Sequence, residues 1–302
     1  MDTRGTWGLL KQSFKDFNDD ECPRMAAALS YFTVFSLPPL LILVLTLVGV
    51  FVDPQQARGL LEQQVTAVMG ANGAAQIQTM IEQANRPGSG NVLQAVMGIA
   101  ALLFGATGAF MQLQAALNRA WEVEPDPGQG GLRNFVFKRL LSLGMILALA
   151  FLLLVSLVLS AIISGLGQAV GRVVPGTSEG MLLILDFAVT LAVITTLFAA
   201  MYKVLPDAVI AWRDVWVGAA VTALLFVLGK FALGLYLGHS NPGEAYGAAG
   251  SLALILVWIY YSAMILLFGA EFTQAWAIRN GGGIRPEPGA RRLHDEVPTA
   301  DG

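Results

Sequence analysis

The stretch Asp19 to Leu41, DDECPRMAAALSYFTVFSLPPLL, decides how the rest of the chain is read. It opens with Asp19, Asp20, Glu21 and Arg24, turns into small-residue sequence, and meets Pro38-Pro39 inside hydrophobic surroundings. From Met25 to Val52 no formal charge interrupts it. As one helix that run would extend about 42 Å, well beyond the ~30 Å hydrocarbon thickness of a bilayer. Two prolines in mid-run remove backbone donors, so the sequence predicts a kink or break there. Irregular backbone at membrane depth is tolerated only where protein or a water-filled cavity satisfies it.

The composition places the whole chain in the same class. Of 302 residues 55% are hydrophobic and 13% charged, about half the charge of an average soluble domain. Cys22 is the single cysteine, and His239 and His294 are the two histidines. That excludes a disulfide framework and a thiolate metal cluster, and it argues against a histidine-rich metal site. The sequence contains no Walker A motif, no HExxH, no Rossmann glycine fingerprint and no Gly-x-Ser-x-Gly elbow. No catalytic, cofactor-binding or metal-ligating residue is therefore assigned, no cofactor is expected, and the chain is expected not to be an enzyme. The polar first 24 residues and the length of the run behind them predict no cleavable signal peptide.

Hydrophobic runs predict an all-α polytopic membrane protein with six transmembrane helices, at about 25–52, 92–117, 140–170, 181–202, 214–237 and 247–277. Residues 1–24 form a cytoplasmic amphipathic segment. Trp7, Leu10, Phe14 and Phe17 share one arc of the helical wheel, which suits either an interfacial helix or one packed on the ends of the spans. Residues 53–91 carry two helical patterns, split at Asn72-Gly73, and are expected to form a small periplasmic helical cap. The tail 280–302, rich in Gly, Pro and Arg, is expected to be disordered. With these spans, 14 lysines and arginines fall on one side of the membrane and Arg58, Arg86 and Arg172 on the other. The positive-inside rule then puts both termini in the cytoplasm.

Polar residues in or beside the spans are the candidate functional positions. Asp186 and Lys230 lie at similar depth in the fourth and fifth spans and are expected to form an intramembrane ion pair, either structural or part of a coupling site. Glu271, in the sixth span, lies toward the face that carries Arg24, Arg119 and Arg213. It is read either as a structural ion-pair partner for them or as a carboxylate that binds cations or reads a substrate headgroup. Asp20, Glu21 and Arg24 form an acidic mouth before the kinked helix, either a solvated helix start or a gate. With Tyr31, Pro38, Pro39 and Glu271 they make up the candidate substrate and gating set. Gln112, Gln114 and Asn118 give the second span a polar stripe beside Gly105 and Gly108, and packing is its default account. Tyr31, Ser36, Trp258, Tyr260 and Tyr261 are further candidates to line a cavity.

Four fragments, AAALSYFTVFSLPPLL, GATGAFMQLQAALNRAW, YKVLPD and YGAAGSLALILVWIYYSAMILLFGAEF, together resemble the YihY/BrkB family of bacterial inner-membrane proteins. The resemblance covers about residues 20–277. It implies six transmembrane helices, a plasma-membrane location, links to envelope integrity or serum resistance, and export of lipid or of an envelope precursor by some members. The family's older label, ribonuclease BN, finds no support in the residues, because two distant histidines cannot build a metal-dependent nuclease site. Expected partners are therefore membrane lipids and a lipid or envelope-precursor substrate, with no nucleic acid; a homo-oligomer is left open. The function expected on these grounds is transport or export of an amphipathic envelope precursor or lipid, with a non-transporting scaffold for envelope proteins as the alternative.

Overall fold

In the computed structural model the acidic mouth and the uncharged run behind it belong to consecutive helices. The structure describes residues 3–48, 108–126, 178–239, 250–280 and 283–293, with isolated positions at 53–82 and at 144. In the continuous described stretches six helical segments occur: α1 (Thr3–Asp19), α2 (Cys22–Val48), α3 (108–120), α4 (Ser178–Val204), α5 (Trp212–His239) and α6 (Gly250–Arg279). Four short strands accompany them: β1 (Val123–Pro125), β2 (Ala208–Val209), β3 (Arg285–Pro286) and β4 (Ala290–Arg292). Phe187–Val204, Trp212–Leu233 and Leu252–Arg279 are long and apolar enough to cross a membrane.

The turn between α1 and α2 is tight because Glu21 takes left-handed backbone (φ 55°). Such a conformation is costly for a residue with a Cβ. Its carbonyl then accepts the amides of Arg24 and Met25 at 2.9 and 3.1 Å, which starts α2. Pro23, with no N–H to lose, suits that first turn. Helix α2 continues through Pro38 and Pro39 without interruption to Val48. Of the expected kink or break, the break is excluded, since the helix is continuous. A proline removes one intrahelical donor, and flanking turns can hold the helix together across that gap.

Helix α6 is the hub, packing against α1, α2 and α5, while α4 packs against α5. Its contacts are close because small residues remove side-chain bulk, as in membrane bundles generally. A Cβ on Gly269 would strike Tyr202 and Thr222, and one on Gly218 would strike Thr273. The buried core gathers at the end where α1, α3 and the last turns of α6 meet, with Trp121, Leu117, Tyr202, Leu267 and Ala270 fully enclosed. Tyr202 ties α4 to two neighbours there, donating to the Leu266 carbonyl at 2.6 Å and sharing a hydrogen bond with Thr222 at 3.0 Å.

Helix α1 presents two apolar rows. Leu9 and Phe17 are buried with Ser13 against the bundle, whereas Trp7 and Phe14 are 73% and 62% exposed. Phe17 thus leaves the arc expected for it and meets Phe268 edge-on at 5.9 Å. The tail also differs from expectation. Residues 283–293 are ordered as β3 and β4, which pair antiparallel with β2 and β1 respectively. Expected disorder gives way because two exposed loop edges offer backbone partners to a short segment that would otherwise lack them. Residues 294–302, the third expected span (140–170, apart from Gly144) and most of the loop 53–91 lie outside the described residues. Within that loop the described positions from Gln55 to Glu82 are helical, and Asp53 caps the first turn through the amide of Gln55 at 2.9 Å.

Candidate functional site

The candidate site is built where α2 begins, α3 ends and α6 approaches its last turns. Glu271 is completely buried there. Its Oε1 accepts a hydrogen bond from the Cys22 thiol at 3.3 Å, while its Oε2 has no hydrogen-bond partner among the described residues. The adjacent residue Ala270 offers its carbonyl to the Trp121 indole N–H at 3.2 Å. A carboxylate oxygen without a donor in a closed environment is costly, and such groups concentrate where function needs them.

The arginines expected to reach Glu271 are engaged elsewhere. Arg119 pairs with Asp20 at 3.1 Å, Arg24 with Glu21 one turn away, and Arg213 contacts Asp214 at 3.5 Å. The reason is reach and cost. Each arginine finds a carboxylate it can meet while its own head group stays partly hydrated. Asp20, Glu21 and Arg24 thus gather around the junction of α1 and α2 as paired charges. The Cys22 thiol is pushed up in pKa by burial and, second, by the Glu271 carboxylate.

Other candidates fall apart in space. Tyr31, on α2, is 58% exposed and lies among the rings of Phe32 and Phe35. Ser36 and Trp258 are buried, and Tyr260 and Tyr261 are half-buried. Pro38 and Pro39 lie within the helical backbone of α2, and their side chains fall outside the described residues. Lys230 is half-buried on α5; Asp186 lies on α4 with its side chain outside the described set, and so does the expected pair.

The sequence named Gln114 and Asn118 without their partner, and it did not single out Asp214. Gln114 and Asn118 hold the corner after α4: their side-chain amides donate to Asp207 at 3.2 and 2.9 Å, and the Asp207 backbone N–H donates back to Asn118 at 2.8 Å. The signal was their spacing of four, which puts both amides on one helix face. Asp214, fully buried in the first turn of α5, has one oxygen without a hydrogen bond among the described residues. An acid at a helix start is favoured by the positive end of the backbone dipole, and its position before an apolar run was the available clue.

The family model for virulence factor BrkB matches residues 13–294. The chain belongs to that family. A ribonuclease-like protein, YfkH of Bacillus subtilis, is 26% identical over 271 residues, covering 87% of this chain and 93% of the relative. UPF0761 membrane proteins of Alcanivorax borkumensis and Verminephrobacter eiseniae are 31% and 28% identical. This BrkB-family chain spans 59% and 63% of the length of those two relatives. No solved structure matches it. The BrkB match and the apolar helices together make the chain a membrane protein of this family.

Proposed function

We propose that the chain is a six-span protein of the bacterial inner membrane that moves an amphipathic envelope precursor or lipid. In this reading both termini are cytoplasmic, α2 is bent at Pro38-Pro39, and residues 53–91 form a helical cap on the periplasmic side. The carrying observation is Glu271, buried beside the first residue of α2 with one oxygen unmatched among the described residues. A bundle under selection for stability alone would replace such a group with an apolar one. A carboxylate that acquires its missing partner when the neighbouring helix shifts gives α2 two arrangements, which alternating access requires.

The test is reconstitution in proteoliposomes with labelled lipids and polyprenyl-phosphate carriers. Wild type is expected to exceed empty vesicles in moving one class, and Glu271→Gln to lose most of that excess. Wild type indistinguishable from empty vesicles across all classes would discard transport. Orientation is checked separately, by topology reporters fused at each end.

A second reading, a scaffold for envelope proteins, draws on the way the charged end is fastened. Arg119–Asp20, Arg291–Glu124 and the two strand pairs stitch that end into one surface. This reading predicts copurifying envelope proteins that are lost when residues 283–302 are removed. In either case the chain is proposed to act without nuclease chemistry. Purified protein should leave tRNA intact, and cleavage that disappears in His239→Ala/His294→Ala would reverse that assignment.

A further inference from the structure

Beside the charged end, a cavity of about 470 Å³ opens between the end of α3, the last turns of α6 and the strands of the tail. That volume lies within the ~300–1,000 Å³ range of small-molecule sites. Glu122 and Trp121 contribute from the turn after α3, Gln274 from α6, and Ile284, Arg285 and Arg292 from the tail.

Gln274 is only 5% exposed and its side-chain amide makes no hydrogen bond among the described residues. Buried amides are normally satisfied, and one left open toward a cavity is matched when a ligand fills it. The charges around it are equally unspent. Arg285 and Glu122 have no side-chain partner among the described residues, and Arg292 gives one N–H to the Ile284 carbonyl at 3.3 Å. Glu122 is held in place by its own left-handed backbone (φ 52°) and by the Leu293 amide, which donates to its carbonyl at 2.9 Å. The cavity therefore has a negative pole on the α3 side and a positive pole on the tail side, with neither neutralising the other.

We infer that this cavity binds a phosphate carrying a neighbouring primary amine, the chemistry of a phosphoethanolamine group. The forked guanidinium groups of Arg285 and Arg292 suit phosphate oxygens, and the Gln274 amide supplies another donor. Glu122 takes the ammonium, with Trp121 and Ile284 as the apolar floor. A simple phosphate would leave Glu122 facing an anion, which is repulsive. The inference does not require transport, because occupancy is measured at equilibrium in the purified full-length chain.

The test titrates detergent-solubilised protein with glycerophosphoethanolamine, with inorganic phosphate, and with diacyl phosphatidylethanolamine or phosphatidylglycerol counted by native mass spectrometry. Glycerophosphoethanolamine is expected to bind more tightly than phosphate. Arg285→Gln should weaken it about tenfold or more. Glu122→Gln should weaken it while leaving inorganic phosphate unchanged or tighter. Both replaced residues are exposed, and an unchanged elution profile and helical spectrum confirm that the variants fold. Binding of the soluble compound assigns the site to free phospho-amines; retention of the diacyl amine lipid alone assigns it to a bilayer headgroup. Each supports the site. No binding by any amine-bearing probe, equal affinity for phosphate and phosphatidylglycerol, or indifference to both substitutions overturns it.

Discussion

The Cys22 thiol and the Glu271 carboxylate meet at 3.3 Å although 249 residues separate them in the chain. That contact joins the first residue of α2 to α6, the helix around which the others pack. It also concentrates an uncompensated polar atom at the point where α2 would have to move. If the site were purely structural, Glu271 would be better replaced. Glu271→Met, similar in length and apolar, is expected to keep or raise the melting temperature in detergent while abolishing transport of any substrate wild type moves. A drop of several degrees in Tm would show that the carboxylate holds the bundle together.

Cys22 provides a direct probe of the same contact, because the chain has no other cysteine. The thiol is fully buried, and burial together with the Glu271 charge raises its pKa. Fewer thiolates then exist at any given pH, and the thiolate is the reactive form. Maleimide labelling of native protein should be negligible near neutral pH and complete after denaturation in SDS. Raising the pH by one or two units should leave native labelling slow. Fast labelling of native protein would place Cys22 in an open path.

The corner after α4 is a second test of geometry. Asn118 both donates to Asp207 and accepts its backbone amide, at 2.9 and 2.8 Å. Asn118→Ala leaves the corner short of two bonds, one of them to a charged group, and should cost about 1–3 kcal/mol. Gln114→Ala, removing one longer bond, should cost less. A double-mutant cycle between Asn118→Ala and Asp207→Ala should show coupling. Additive effects on thermal unfolding would mean that the bonds contribute nothing as a pair.

What the sequence made legible follows from which forces have a local signature. Apolar length and missing charge marked α4, α5 and α6 close to their observed ends, because membrane crossing is a property of single segments. The sequence carries no mark of the close approach at Gly269, because the side chains that fill the space above it, Tyr202 and Thr222, come from distant helices. The partners of Glu271 were misjudged because three arginines lay within reach by depth. Their choice depended on competing carboxylates, Asp20, Glu21 and Asp214, whose positions only the assembled turns define. The tail was misjudged because strand pairing requires an edge supplied by distant residues, and glycine-rich composition carries no trace of it.

Gly269 turns close packing into a measurable limit. Any Cβ there meets Tyr202 and Thr222, and both side chains are held by hydrogen bonds. Gly269→Val should therefore prevent a monodisperse preparation, since neither neighbour can retreat without losing a buried bond. Combining it with Tyr202→Phe should not rescue it, because Thr222 remains. Normal yield and elution of the single variant would show that α6 can slide away from α4 and α5.

The tail strands offer the sharpest check on the charged end, because their pairing is exposed to a protease. Arg291 donates to Glu124 at 2.6 and 2.7 Å across the β1–β4 pair, with both side chains about a third exposed. Solvent screens such a pair, so it should contribute no more than about 1 kcal/mol to closing the strands. Tryptic cleavage after Arg292 proceeds through the open form, and its rate follows the open population when closing is fast. Glu124→Ala should accelerate that cleavage by up to about fivefold. Exchanging the charges, Glu124→Arg with Arg291→Glu, should restore part of the protection. If wild type and Glu124→Ala are cut equally fast, the ion pair does not hold β4 in place, and the backbone ladder from Val123 to Pro125 carries the attachment alone.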